Sequence, residues 1–502
     1  PAPGPSRRAA PLPPPRRGAG GRMSGGGLHA AMLRHEGGGA VFRRRMSKMG
    51  AALVRGAFPE EMRMPEPVIN VLSFFDEAPE LEAVARAFEE HLWPSHRFHS
   101  CLAEGGCWEA RHAQMDRAYH FREQQVPDEA SIDAFVQGAM MQSLDRDHPP
   151  WNLTILRAPP PSRSAMFFRV HHAVGDGLGL LFAFSPTMGC EGDNPLSKIP
   201  LPSILLPKSM RARASPEAAP TQRCRLSGLR SLTGLLTSLR LFLKGMLLPL
   251  TAKPDSELSI NPPLAERTPF LKFNGCRTFT RFPPVPMSSV KAVTKRHGCS
   301  VNDALMAALT GALRRFGLEV HNDKRLEARA GTLEFKSMLM IGLPRPVNEN
   351  DLIASLCNNM LFASCPLPID EPTARERLRR IVAVCNNLKS KAYMSGLIGV
   401  TNFLKGLAPE SILRKAASET MSRHTLLVTS VPSPSVPITW PKDGGRVLQE
   451  MQMVFPNAIS QVSLISYNGS VYGNIVADER LFPSPAALGE LWVAEFQALA
   501  EA

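Results

Sequence analysis

Short blocks of alternating or continuous apolar residues are interleaved along most of this chain with stretches of helical period. That pattern predicts a mixed α/β fold. Ordered patterning begins near Pro67. Val68-Ile69-Asn70-Val71-Leu72-Ser73-Phe74-Phe75 is rich in branched and aromatic residues and reads as a strand. Leu81, Val84, Ala85, Phe88 and Leu92 then recur three and four apart, the spacing of one helix face. A second helix covers about Ile132 to Leu144. The pair Pro149-Pro150 bars its extension, and Asn152 to Leu156 starts another strand. Ala165-Met166-Phe167-Phe168-Arg169-Val170 reads as a buried strand, and Leu178 to Phe184 as an apolar helix. In the second half, Arg277 to Phe282 alternates as a strand. Ser300 opens a strong helix with Leu305, Leu309 and Leu313 on one face. Further strands are expected at Met338 to Leu343, Thr425 to Val431, Gln461 to Tyr467 and Val471 to Val476.

The pattern fails in two places, and these divide the chain. Residues 1–64 are rich in Pro, Gly, Ala and Arg, lack hydrophobic periodicity and are expected to be disordered. From Pro195 to Pro263, prolines and basic residues surround one helical piece, Leu226 to Leu248. The expected organisation is therefore a tail at 1–64, a domain at 65–200, a connection at 201–265 and a second domain at 266–502. In the helical piece, Leu229, Leu232, Leu236, Leu239, Leu243 and Met246 form a stripe. Two readings are open. The stripe packs on the body of the protein, the commoner fate of such a face, or it rests on a lipid surface.

Composition narrows the function. The formal charge of +13 suggests nucleic acid at first sight, but its distribution does not. Ten arginines and one lysine against Glu36 place +10 within residues 1–55, leaving +3 for the rest. Phe42 is the only Phe, Tyr or Trp in that segment, too few for a stacking surface, so no nucleic-acid partner is expected. An acid-poor, Arg-rich tail also fits an organellar transit peptide, although this one is short of serine; Met23, Met46 and Met49 are alternative first residues. The nine cysteines contain no Cys-x-x-Cys pair, which argues against a zinc site or a disulfide framework. No apolar run is long enough to span a bilayer.

The strongest chemical signal is His171-His172-Ala173-Val174-Gly175-Asp176-Gly177. Only imidazole has an unperturbed pKa close to working pH, so it can take and return a proton in one turnover. A histidine pair can also be two satisfied core groups. Here it lies where a buried strand meets a loop, a place where function concentrates in α/β proteins. Gly175, Gly177 and Gly179 are expected where the backbone turns or another group approaches closely.

Together with Ser300-Val301-Asn302-Asp303-Ala304-Leu305 and Val428-Thr429-Ser430-Val431-Pro432-Ser433-Pro434, this motif makes the chain resemble the wax ester synthase/diacylglycerol acyltransferase family. Arg97-Phe98, Leu144 to Trp151, Arg377 to Ile381 and Ser463 to Gly469 support the resemblance, which covers about Pro67 to Leu499. The histidine motif alone also admits other CoA-dependent acyltransferases, including peptide-synthetase condensation domains. Two departures stand out. The family's Pro-Leu-Trp is Pro149-Pro150-Trp151, and its Asn-Val-Pro-Gly-Pro is Ser430-Val431-Pro432-Ser433-Pro434.

The resemblance implies a two-domain CoA-dependent acyltransferase-like sandwich, with mixed sheets flanked by helices and an active-site tunnel between the domains. Fatty acyl-CoA and diacylglycerol or a fatty alcohol would meet there at His172. The thioester is already activated, so a general base on the alcohol suffices; no cofactor and no metal are expected. Within the superfamily the motif aspartate pairs with an arginine, so Asp176 is expected to hold the loop. His171 would orient the loop or line the tunnel, and Gly175 and Gly177 would shape it. Asp303 fits a capping box with Ser300 and, with Asn302, is also a candidate for oxyanion or acyl binding. Asn302, which capping does not need, is the candidate oxyanion donor. Pro149, Trp151, Ser430 and Pro432 are candidates for the tunnel or its motifs. Apolar substrates suggest peripheral contact with an endoplasmic-reticulum or lipid-droplet membrane, or a plastid location if the tail is a transit peptide. The alternatives are a non-catalytic lipid- or CoA-binding homologue and a transferase taking acyl groups from a carrier protein.

Overall fold

The computed structural model describes residues 32–36, 39–56, 64–191, 195, 199, 232–247, 253–261, 277–345, 347, 351–407 and 409–502. The first half begins with β1 (Met32–Glu36), β2 (Gly39–Arg45) and α1 (Lys48–Arg55). Then come β3 (Val68–Phe75), α2 (Leu81–His91), α3 (His96–His99), β4 (Cys101–Ala103), β5 (Cys107–Ala110), α4 (Arg117–His120) and β6 (Phe121–Gln125). The half closes with α5 (Glu129–Ala139), β7 (Trp151–Arg157), β8 (Ser164–His171) and α6 (Gly177–Phe184). All side chains of β8 are buried, as its unbroken apolar run requires. Trp151 opens β7 inside an aromatic core. It stacks on His120 at 3.8 Å and on Phe88 at 5.0 Å, and its indole N–H donates to the Phe98 carbonyl at 2.8 Å.

One helix, α7 (Leu232–Met246), precedes the second half. There follow β9 (Thr278–Arg281), β10 (Val285–Pro286), α8 (Met287–His297), α9 (Val301–Glu319), β11 (Lys336–Gly342) and β12 (Met360–Pro366). Three helices come next: α10 (Ala374–Leu388), α11 (Lys391–Leu407) and α12 (Glu410–Ser422). The chain ends with β13 (Leu426–Pro432), β14 (Thr439–Trp440), β15 (Arg446–Val454), β16 (Ser460–Tyr467), β17 (Ser470–Ala477) and α13 (Pro485–Glu501).

Two mixed sheets carry the fold. One has the order β14-β15-β3-β8-β7-β6, the other β10-β17-β16-β13-β11-β12 with β9 also on β17. The division in space is therefore not the division along the chain. β14 and β15 leave the second half and join the first sheet, β15 pairing antiparallel with β3. Sequence reading missed β15 because its inward face is partly polar: Glu450 and Gln452 are buried beside Leu448 and Val454. Glu450 is paired with Arg163 at 2.9 Å and Arg281 at 3.4 Å, and Gln452 accepts from Asn474 at 2.8 Å. Arg281 of β9 also reaches Asp133 of α5 at 3.0 Å, which ties the second sheet to a first-half helix.

Two expectations are corrected. Part of the supposedly disordered tail is built into the fold: β2 pairs with β5, and α1 is capped by Ser47 and buries Gly50 and Ala51. Its Arg-rich composition hid a local apolar set, Met46 and Ala51, that packs with Trp108. Residues 1–31 and all of 201–231, including the expected start of the helical piece at Leu226, lie outside the described residues. The leucine stripe of α7 also faces away from the core. Leu236 and Leu239 are 56% and 52% exposed, and Leu243 is exposed as well. The opposite face is the packed one: α7 crosses α11 so closely that a Cβ on Gly245 or Gly396 would collide with the backbone at Tyr393 or Phe242.

Gly105 and Gly106 separate the backbone cost of a left-handed turn from the packing of α1. Both have positive φ, 72° and 68°. A Cβ at Gly105 meets nothing within 4 Å, whereas one at Gly106 would lie 2.6 Å from Ala51 Cβ. Gly105→Ala is expected to cost about 1–2 kcal/mol. Gly106→Ala should cost roughly 1–3 kcal/mol more, read as a lower melting temperature. Equal losses would mean that α1 is not packed there.

Candidate active site

Strand register places the histidines. β8 runs antiparallel to β3 with His171 opposite Val68, so the sheet ends there and His172 begins the loop. Each backbone N–H is held: that of His171 by the Pro150 carbonyl at 2.9 Å, that of His172 by the Pro67 carbonyl at 2.6 Å. Arg97 reaches into the loop and donates to the Ala173 and Val174 carbonyls at 3.0 and 2.9 Å. The glycines contribute space, since none of Gly175, Gly177 and Gly179 has positive φ. A Cβ on Gly175 would lie 2.8 Å from Leu356, and one on Gly179 3.0 Å from Arg345. At Gly177 a Cβ would meet only Val431 and Met453, near 4 Å.

Asp176 caps α6 and anchors the loop to the second half. Oδ1 accepts from Arg345 Nη1 at 2.7 Å and from the Gly179 N–H at 2.9 Å. Oδ2 accepts from Arg345 Nη2 at 2.9 Å and from the Asn359 N–H at 2.9 Å. These four bonds use the acceptor sites of a carboxylate, so none is left for an imidazole. Sequence reading left the pairing arginine open; it is Arg345.

The two histidines are held differently. His171 Nδ1 accepts the Ala173 N–H at 3.1 Å, which puts its proton on Nε2. That nitrogen is buried with no hydrogen-bond partner among the described residues. Burial, the chief cause, pushes the His171 pKa down to about 3, so the ring stays neutral. A ring nitrogen that already holds a proton cannot take one from a hydroxyl. His172 Nδ1 instead lies 2.8 Å from Asn358 Oδ1, and Phe455 packs against its ring edge at 5.8 Å. Burial lowers the His172 pKa as well, against the opposing effects of its own backbone carbonyl, the Asp176 charge and the Asn358 bond.

Beside this loop lies a narrow apolar cavity of about 100 Å³. Gly177, Phe184, Met453, Val431 and Trp440 are among its walls, so both halves of the chain form it. Among the described residues, Ser73 and Ser433 are its only polar wall residues. Ser433 stands where the sequence comparison expected glycine. Pro432 is half-buried at the end of β13, opposite Ser466. Trp151 and Pro149 are buried but are not cavity walls; Trp151 belongs to the aromatic core described above.

Asp303 forms the expected capping box with Ser300 and also pairs with Lys389 at 3.2 Å. Asn302 is exposed on the first turn of α9, where its Oδ1 accepts the Ser430 hydroxyl at 3.1 Å. Its NH₂ has no partner among the described residues, which leaves the donor end free. The residues that sequence reading missed are Arg345, Asn358 and Asn359, all more than 165 positions from the groups they hold. The only local signal was the pair Asn358-Asn359. Among the described residues no cluster of His, Cys, Asp and Glu could hold a metal ion, and no helix is long and apolar enough to cross a membrane.

Both the fold and the sequence have known counterparts. The structure is similar to the wax ester synthase/diacylglycerol acyltransferase from Marinobacter aquaeolei VT8, with a TM-score of 0.57 at 17% identity over 91% of this chain and 100% of that one. It is also similar to the first condensation domain of the calcium-dependent antibiotic synthetase, with a TM-score of 0.54 at 12% identity over 91% and 96%. The architecture is thus that of a CoA-dependent acyltransferase-like protein. The wax ester synthase/diacylglycerol acyltransferase catalytic domain matches residues 63–305, and the WS/DGAT C-terminal domain matches residues 356–500. The O-acyltransferase WSD of Acinetobacter baylyi is 21% identical over 378 residues, 74% of this chain and 78% of its own length. A putative diacylglycerol O-acyltransferase of Mycobacterium tuberculosis is 24% identical over 382 residues, 70% of each. The chain belongs to the wax ester synthase/diacylglycerol acyltransferase family, a family of O-acyltransferases.

Asp176→Asn is expected to leave the Arg345 charge buried without its counter-ion. Breaking such a pair costs about 3–5 kcal/mol, so the melting temperature should fall together with activity. Unchanged melting with no turnover would instead indicate a direct catalytic role for Asp176.

Proposed function

We propose that this protein transfers a fatty acyl group from acyl-CoA to the hydroxyl of diacylglycerol or a long-chain alcohol, with His172 as general base. The observation that carries the reading is a neutral, oriented imidazole on a loop that runs into Gly177, the first residue of α6 and a wall of an apolar cavity. The cavity suits an aliphatic chain, which gains about 0.8 kcal/mol per buried methylene. His172 Nε2 takes the hydroxyl proton as the alcohol oxygen attacks the thioester carbonyl carbon. The resulting tetrahedral intermediate collapses by breaking the C–S bond. The departing thiolate takes the proton back from Nε2, which returns the imidazole to its neutral state. Base assistance of this kind is worth roughly 10²–10⁴-fold in rate. Asn302 is the donor proposed for the developing oxyanion, because its free NH₂ lies at a helix N-terminus.

His172→Ala should remove acyl transfer from labelled acyl-CoA to either alcohol while leaving melting close to wild type. Near-normal turnover would overturn the base assignment. Because the neutral form is the active one and its pKa is lowered, the acidic limb of kcat/KM should lie below about pH 6.5. A limb at or above that value would contradict a buried neutral base.

The same reading assigns the outward face of α7 to a lipid surface. Leu236, Leu239 and Leu243 are exposed beside Arg240 and Lys244, which form no ion pair among the described residues. Apolar residues flanked by cations suit an anionic interface. Leu236→Glu/Leu239→Glu/Leu243→Glu should stop co-flotation with vesicles of anionic phospholipid while sparing transfer to a short soluble alcohol. Unchanged flotation would rule this face out.

A further inference from the structure

The cause of His172's orientation lies in the second half of the chain. Asn358 Nδ2 donates to the His172 carbonyl at 2.8 Å, and the Ala173 carbonyl lies 3.5 Å from the same nitrogen. A carbonyl can only accept, so this end of the amide must be the NH₂. The other end, 2.8 Å from His172 Nδ1, must then be the oxygen. An oxygen facing a ring nitrogen requires that nitrogen to carry the proton. From this geometry we infer that Asn358 is the positioning residue that keeps the His172 proton on Nδ1 and so leaves the Nε2 lone pair as the base. The inference rests on the role proposed for His172 above.

Asn358 is itself held from both sides. The carbonyl of Cys357 accepts the Asp176 N–H at 3.1 Å, and the N–H of Asn359 donates to Asp176 Oδ2 at 2.9 Å. The Asp176–Arg345 pair thus grips the residues before and after Asn358 and presents its amide to the imidazole. Asp176 acts on the base at one remove, through position rather than through a proton relay. Neutral imidazole exists as two tautomers, and only one exposes Nε2 as an acceptor. An amide does this work without a charge. A carboxylate in its place would also orient the ring, but it would favour the imidazolium and raise the pH at which the base becomes available.

Side-chain ¹⁵N spectra of the 13 histidines, with His172 assigned from its loss in His172→Gln, read the tautomer directly. The wild type should show His172 protonated on Nδ1. Asn358→Leu should shift the signal towards Nε2–H and lower kcat about 10–100-fold, with little change in KM for acyl-CoA. Its acidic limb should move to lower pH, because a bond favouring the protonated ring is gone. Asn358→Asp should restore the Nδ1–H tautomer and much of kcat, with the limb moved to higher pH. A merely structural residue would change melting and not these limbs. A wild-type proton on Nε2 overturns the proposal and needs no variant to fold. So does Asn358→Leu with unchanged kcat and limb. Full activity in His172→Ala would refute the base assignment separately, leaving the tautomer result intact.

Discussion

The buried pair of Asp176 with Arg345 is the constraint on which the site depends. It joins a loop at the end of one sheet to a segment that leads into the other. A buried ion pair adds little net stability, since desolvating two charges offsets most of their attraction, but it is costly to break. Its value here is positional. Two oxygens take four bonds, and these fix the start of α6, the guanidinium and the backbone on both sides of Asn358.

From that fixed point the chemistry follows by exclusion. Asp176 has no lone pair left for a histidine. His171 spends its acceptor nitrogen on the Ala173 N–H. His172 is thus the histidine of the pair proposed to keep a basic nitrogen, and burial lowers its pKa. Close packing at Gly175 and Gly179 lets Leu356 and Arg345 approach the loop, whereas the open side of Gly177 faces the apolar cavity. The proposed base and the apolar cavity are thereby joined by the short segment from His172 to Gly177.

Much of this was legible in the sequence because it depended on local pattern. β3 runs over the residues that its branched and aromatic run marked, and β8 and α6 differ from expectation by one residue at their ends. The capping box at Ser300 was visible because its partners are three residues apart. What stayed hidden depends on long-range pairing. Arg345 has no local feature that sets it apart, and the pair Asn358-Asn359 does not by itself reveal what it holds. β15 did not read as a strand because its buried Glu450 and Gln452 depend on distant partners, Arg163, Arg281 and Asn474, as well as on each other. The arginines of β2 masked a segment whose Met46 buries itself by joining β5. Trp151 was expected near the tunnel; its ring instead packs among Phe88, Phe98 and His120, where its one polar atom is satisfied.

The central claim is that the acyl group passes directly from thioester to alcohol with His172 moving only a proton. Initial rates measured over both substrate concentrations, together with a search for labelled protein after incubation with labelled acyl-CoA alone, test it most directly. The account predicts intersecting double-reciprocal lines, the mark of both substrates bound at once, and no covalent label. Parallel lines with a labelled acyl-enzyme would contradict it.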